Sequence, residues 1–435
     1  MTLSHRAAFT FATQIVSYVV IFLGSVIVAR TLGVEGKGTY SLVVLVYNLA
    51  VPIAGLGIPV FTACFVGQRR HTPSQLFANS LVWAALSVIW LGGLISALML
   101  GSFDTIIGVQ REYVVAGLAI APLGMVIEGL ASIAQGSNRI KEYNLLRLAN
   151  PVASTSLLSL LVLVLRWGPP GAVLSLVLSQ LLLITFATIL VSPGMGRVEW
   201  PLMRNSAAFG MQAWATQLVG LLNLRLAILL VGYFLGAAGL GYFSVAQGLL
   251  DLLHFIPIAI STVSLPVFSA TGRAQASEVA CIGIRHTLML SALAGIGLIA
   301  VGRWVIEWFY TPAFLPALTA LWIMIPGVVA YSVAHITTSY FNGQLHRPLL
   351  NTAIAAISLV LNGALGLWLI PIWGLAGAAA ATTFAYLIAI AINLAMFLQI
   401  AGCPLSDMLI PKASDFKAYW MLLPLTKAGA ISTHQ

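Results

Sequence analysis

The sequence predicts an all-α integral membrane protein of about twelve transmembrane helices, arranged as two parallel six-helix lobes around a central cavity. Three observations carry that expectation. The 435 residues are 60% hydrophobic and 7% charged, with a mean hydropathy of +1.01, whereas soluble domains are roughly 25% charged. Apolar runs long enough to cross about 30 Å of hydrocarbon recur along the chain. Motifs of the first half return in the second at a nearly constant offset, the mark of a duplicated membrane unit.

The spans are expected near residues 9 to 29, 41 to 65, 78 to 100, 113 to 134, 145 to 165, 171 to 191, 209 to 234, 244 to 268, 286 to 309, 315 to 340, 350 to 370 and 374 to 398. The first is longer than the apolar region of a cleaved leader and is expected to be retained. The repeat then sets the domains. Leu32-Gly33 through Gly38-Thr39-Tyr40-Ser41 returns as Leu235-Gly236 through Gly241-Tyr242-Phe243-Ser244, and 236 minus 33 gives an offset of 203. Trp167-Gly168 returns as Trp373-Gly374 at 206, and Gly136 with Asn144 returns as Gly343 with Asn351 at 207. Six spans per half is an even number, so both halves enter the membrane in the same sense. The lobes are read as 1–204 and 205–401, followed by a cytoplasmic tail, 402–435.

Topology follows from the basic residues, which stay on the cytoplasmic side of short loops. With both termini inside, fourteen Lys and Arg residues fall in inner segments and five at outer ends (Arg30, Lys37, Arg111, Arg166, Arg303), leaving Arg225 within span seven. The net charge of +9 is thus a topology signal rather than a nucleic-acid patch. Cys64, Cys281 and Cys403 are too few for a disulfide framework or metal site, and are expected as packing residues. No metal or cofactor is implied. Gly33 to Thr39 superficially resembles a phosphate loop, but lacks the Gly-Lys-Ser/Thr run and follows a membrane helix, so a tight turn is expected. No loop has room for a soluble catalytic or nucleotide-binding domain, which argues against an enzyme or an ATP-driven pump.

Polar residues inside spans need a partner or a wet cavity. Arg225 and Asp251 lie at similar depth in spans seven and eight, suited either to a structural ion pair or to leaving Arg225 for an anionic head group, since guanidinium matches phosphate oxygens. Gln247, Asp251 and His254 follow i, i+4, i+7 spacing on one helical face. Through the offsets Asp251 maps onto Asn48, His335 onto Glu128 and Asn342 onto Gln135, while Arg225 maps onto Phe22. Glu128 and His335 are candidates for proton or cation coupling, against a purely structural role in their own bundles. Arg30 marks the outer end of span one, with a possible cavity role, and Arg303 with Glu307 forms an i, i+4 pair.

Ala29-Arg30-Thr31-Leu32-Gly33 through Tyr40-Ser41, Leu222-Asn223-Leu224-Arg225-Leu226-Ala227, and Gly241-Tyr242-Phe243-Ser244-Val245-Ala246 with Pro257 and Pro266 resemble the polysaccharide transporter (Wzx-type) flippases. These belong to the multidrug/oligosaccharidyl-lipid/polysaccharide exporter superfamily, and the likeness runs to Pro411 and Asp415. The resemblance implies alternating access of two lobes that move an undecaprenyl-pyrophosphate-linked oligosaccharide from the inner to the outer leaflet of the cell inner membrane, for O-antigen, capsule or exopolysaccharide. It implies a phosphate or acidic-sugar contact at Arg225 and possible association with polysaccharide polymerase machinery. Where relatives commonly read Arg-x-Asp, this chain has Ala227. The alternatives are a cation-coupled drug antiporter of the same superfamily, in which cavity carboxylates should dominate, and a membrane polysaccharide polymerase or ligase, which should carry a large outer loop.

Overall fold

In a computed structural model of the protein, residues 3–101, 105–106, 109–345 and 348–409 are described. The tail residues Pro411, Lys412, Asp415, Lys417 and Lys427, as well as Arg347 and the side chains of Arg6 and Pro266, lie outside the described residues. The chain is helical almost throughout. In order the helices are α1 (Leu3–Gly55), α2 (Ile58–Gly67), α3 (Pro73–Leu100), α4 (Arg111–Gly136), α5 (Ile140–Leu158), α6 (Gly168–Val191), α7 (Trp200–Leu250), α8 (Phe255–Ala270), α9 (Arg273–Val305), α10 (Ala317–Tyr331), α11 (Val333–Gly343), α12 (Pro348–Ala401) and α13 (Leu405–Leu409). A short hairpin, β1 (Thr105–Ile106) with β2 (Val109–Gln110), precedes α4.

Among the described residues, nine helical stretches are long and apolar enough to cross a membrane. Three of them, Phe9–Gly55, Trp214–Ala270 and Leu349–Ala401, run for 47, 57 and 53 residues. One crossing takes about 20 residues, so each of the three holds two, and the total is the twelve expected. Each long stretch is interrupted by a glycine: Gly33, Gly236 and Gly374. The repeat-mates Gly33 (φ 69°, ψ −167°) and Gly236 (φ 66°, ψ −161°) share a backbone conformation that residues with a Cβ avoid. The duplicated turn in the sequence is therefore a duplicated bend in space.

Other interruptions fall inside spans. Span two breaks at Leu56 and Gly57 before α2, span eight carries a 3-10 turn at Asp251–His254, and span ten breaks at Ser332 between α10 and α11. Spans five and nine finish in π-helical turns, Ser159–Val164 and Ile306–Tyr310. Inside lipid such departures persist only where protein or a wet cavity satisfies the freed backbone groups.

The chain forms two compact units. One comprises Met1–Gly248, Arg303–Leu321 and Leu359–Ala381; the other comprises Leu249–Gly302, Trp322–Ser358 and Thr382–Gln435, of which 410–435 are outside the described residues. These units are a division by packing, whereas the lobes 1–204 and 205–401 are an expectation from the sequence repeat. Within the first unit, α4 packs against α1, α3 and α6 and is the most buried crossing, with 61% of its apolar window enclosed. Span ten, its repeat-mate, follows at 56%.

Lipid tails are as apolar as leucine, so close helix packing rests on small residues that let backbones approach. The clearest case lies between the two duplicated turns. A Cβ on Gly38 would overlap the Ala237 carbonyl, and a Cβ on Gly241 would overlap the Val34 carbonyl. By the 203 offset Gly38 corresponds to Gly241 and Val34 to Ala237, so the contact is reciprocal, as a pseudo-twofold relation requires. Lys37, expected at an outer end, is buried beside it.

The cysteines correct one expectation. Cys281 and Cys403 are joined by a disulfide that ties α9 to the segment after α12, while Cys64 is free and exposed. Their separation of 122 residues gave no spacing signal.

Candidate functional site

Polar side chains concentrate at three places, two in the first unit and one in the second. Near the turn between α4 and α5, Arg147 grips Glu128 with both arms of its guanidinium, at 2.7 and 2.9 Å, the fork geometry that suits a carboxylate. Arg147 also lies over the Tyr143 ring, 5.2 Å from its centre. Deeper in the same bundle, the Tyr47 hydroxyl donates to Gln180 Oε1 at 3.1 Å, and Gln180 Nε2 donates to Asn150 Oδ1 at 3.4 Å. Asn48, next to Tyr47, is exposed.

The second place is span seven. Arg225 is half-buried on α7, and among the described residues its guanidinium has no hydrogen-bond or ion-pair partner. Nearby, α7 packs on the first half of α12, where Gly363 and Gly366 face Leu226 and Leu230. Asn362, adjacent to that contact and 1% exposed, has both side-chain polar atoms buried without a partner among the described residues. A buried, unsatisfied amide costs about 1–3 kcal/mol, which makes Asn362 a candidate polar contact inside this span. Sequence reading missed it; its signal was an asparagine one residue from a packing glycine inside an apolar span.

Arg30 is engaged elsewhere. It donates to the carbonyls of Trp308 and Phe309 (2.7 Å to Phe309) and so caps the orphan carbonyls where the π-turn ends. Arg303 pairs with Glu307 at 2.9 Å one turn before. Phe22, the repeat-mate of Arg225, sits in an aromatic cluster, 5.4 Å from Phe309 and 5.8 Å from Tyr310. The sequence counterpart of Arg225 is thus packed among aromatic rings.

The third place is in the second unit. The 3-10 turn at Asp251–His254 eclipses residues three apart, which brings the Asp251 and His254 side chains to one side of span eight. His254 faces His335 of α11 with ring centres 5.6 Å apart. Gln247 falls in the first unit, so the stripe Gln247, Asp251, His254 expected on one continuous helical face is interrupted by the turn. Arg225 falls in the first unit and Asp251 in the second. Of the two residues matched by the repeat, Glu128 is bound by Arg147 and His335 lies beside His254.

Close by, a cavity of about 30 Å³ is bounded by Tyr331, Thr338, Asn351, Ser358 and Asn393 with apolar neighbours, room for about one water. Thr338 donates to Asn351 Oδ1 at 3.2 Å, and Asn351 Nδ2 donates to Asn342 Oδ1 at 3.2 Å. Among the described residues no cluster of three His, Cys, Asp or Glu side chains has metal-binding geometry.

A multi-pass helical bundle with glycine-bent doubled spans and sparse interior polar groups defines a class, the multi-pass helical membrane proteins. The chain belongs to the polysaccharide biosynthesis protein family, whose model matches residues 27–319. A search of curated protein sequences finds no match. Among solved structures, the fold is similar to an inward-facing multidrug resistance MATE family transporter of the MOP superfamily, with a TM-score of 0.73 at 14% identity over 91% of this chain and 98% of that one. It is equally similar to the lipid II flippase MurJ in an inward closed conformation, with a TM-score of 0.73 at 15% identity over 90% and 89%. A MOP superfamily transporter from Pyrococcus furiosus matches with a TM-score of 0.61 at 14% identity over 91% and 94%. At such identities the likeness establishes the fold.

Proposed function

We propose that the protein is a flippase that carries an undecaprenyl-pyrophosphate-linked oligosaccharide from the inner to the outer leaflet of the cell inner membrane. It works by alternating access of the lobes 1–204 and 205–401, with both termini cytoplasmic. The observation that carries this reading is the half-buried Arg225 guanidinium, without a partner among the described residues, in a chain of the polysaccharide biosynthesis family. A cation held inside an apolar span is costly unless something anionic meets it, and pyrophosphate is the anion of such a substrate. Arg225 binds phosphate oxygens through its planar fork, and Asn362 supplies neutral hydrogen bonds to the same region. Gln247 and Asn48 of the same unit are secondary contacts for the sugar or its head group.

Apolar spans give the polyprenyl tail a lipid-like path while the head group crosses among polar side chains. The protein needs no catalytic group for this, because no covalent bond changes. The MATE likeness keeps a drug antiporter as the second reading. Removing Arg225 tells the two apart, since an organic cation gains nothing from a guanidinium. In cells that depend on this chain for surface glycan, Arg225→Ala should abolish glycan export at normal protein level, and Arg225→Lys should retain part of it. Full export by Arg225→Ala would overturn the reading.

A further inference from the structure

We infer that His254 and His335 form one proton-binding site, through which a proton gradient drives the movement; this rests on the flippase reading above. The first support is position. His254 closes the 3-10 turn that breaks span eight, and His335 lies in the first turn after the break at Ser332 in span ten. The two spans pack on each other through α8 and α11. Each imidazole therefore sits where its helix has given up regular hydrogen bonds, the places in a span that bend most readily.

Geometry is the second support. The ring centres are 5.6 Å apart, while two imidazoles sharing an N–H···N bond of about 2.9 Å have centres about 5 Å apart. A small rotation of either ring closes that gap. Two cationic rings so close repel, so the pair takes up one proton before it will take a second. Asp251, on the same side of the 3-10 turn, brings a carboxylate to the charge that the pair acquires.

Other titratable and charged groups flank the pair. Helix α9, which meets α11 where Gly283 lies against Ile336, brings Cys281 already bonded to Cys403, Arg285 donating to the Asp407 carbonyl at 2.7 Å, and His286. Span twelve brings Tyr386, stacked on Tyr331 of span ten.

In the protonated state the shared proton draws the two breaks together, and in the deprotonated state the neutral rings release them. Proton binding at one ring nitrogen and its later loss to the opposite side leave the site unchanged over a cycle. A sodium ion is excluded from this pair by its chemistry, since imidazole nitrogens are poor ligands for a hard monovalent cation.

The test uses the full chain in proteoliposomes, with a nitrobenzoxadiazole-labelled undecaprenyl-pyrophosphate disaccharide as probe. Probe movement should quicken under an imposed pH gradient and not under a sodium gradient. His254→Gln or His335→Gln should each lose about tenfold of that acceleration, a usual size for coupling between two sites. In parallel, histidine nitrogen NMR of the full chain in nanodiscs should show that His254→Gln moves the titration of His335, and the reverse. Independent titrations, or a double variant that answers the pH gradient like wild type, overturn the proton site. If wild-type protein moves no probe under any gradient, the flippase reading falls, and with it the coupling, while the NMR result still decides whether the pair shares a proton.

Discussion

Spans four and ten occupy equivalent places in the repeat and are the two most enclosed crossings, yet they treat their titratable residue in opposite ways. Glu128 of span four is clasped by Arg147 from the next helix, so its charge is neutralised inside the protein. His335 of span ten faces His254, a second titratable ring. The two junctions that end the halves differ in the same spirit. After α6, Glu199 accepts a hydrogen bond from Gln75 of α3 at 2.7 Å; after α12, Cys403 is bonded covalently to Cys281 of α9. A duplicated backbone has kept its shape while the chemistry of its fastenings diverged, because close packing constrains volume and backbone conformation, whereas a half-exposed contact accepts any pair that satisfies itself.

The largest test of that contrast is the covalent fastening. Cys281→Ser in oxidised protein should cost about 2–4 kcal/mol, read as a fall in thermal midpoint in detergent, and reduction of the wild type should reproduce it. Equal stability of the variant and the oxidised wild type would reduce the disulfide to a bystander. Next, Gly38→Val and Gly241→Val should each cost about 1–3 kcal/mol by overpacking, with similar losses for the two. Unequal losses would show that the reciprocal contact is not equivalent in its two halves. Gln75→Ala, at the hydrogen-bonded junction, should cost about 1 kcal/mol, measured against Cys281→Ser in the same assay. The smallest effect is expected from Glu128→Gln: Arg147 and Glu128 have side-chain exposures of 47% and 30%, so the pair contributes less than about 1 kcal/mol. A double-mutant cycle with Arg147→Gln isolates that contribution.

The fold was legible because its signals are local or strictly periodic. Hydropathy marks each crossing, and the recurrence of Gly33 as Gly236 marks two equal bends by repetition alone. The candidate groups were legible one at a time, since a lone Arg225 or His335 in an apolar span stands out. Their partners were not. Arg147 counted as a loop cation, although it reaches Glu128 across a helix pair, and Cys281 and Cys403 are brought together only by the return of α12. His254 was read on a regular helical face, which the 3-10 turn at Asp251 replaces. Depth along a span follows from sequence; rotation about its axis does not once the helix is broken.

The glycine contact between the duplicated turns bears on motion as well as packing. It is made mostly of main chain, the Ala237 and Val34 carbonyls against Gly38 and Gly241, with the Val34 side chain beside Gly241. A seam of that kind has few rotamers to reset before it parts. Opening it forfeits dispersion between two smooth surfaces and little else, so the place where the copies press hardest together is also one that can separate and reseat without rearranging itself.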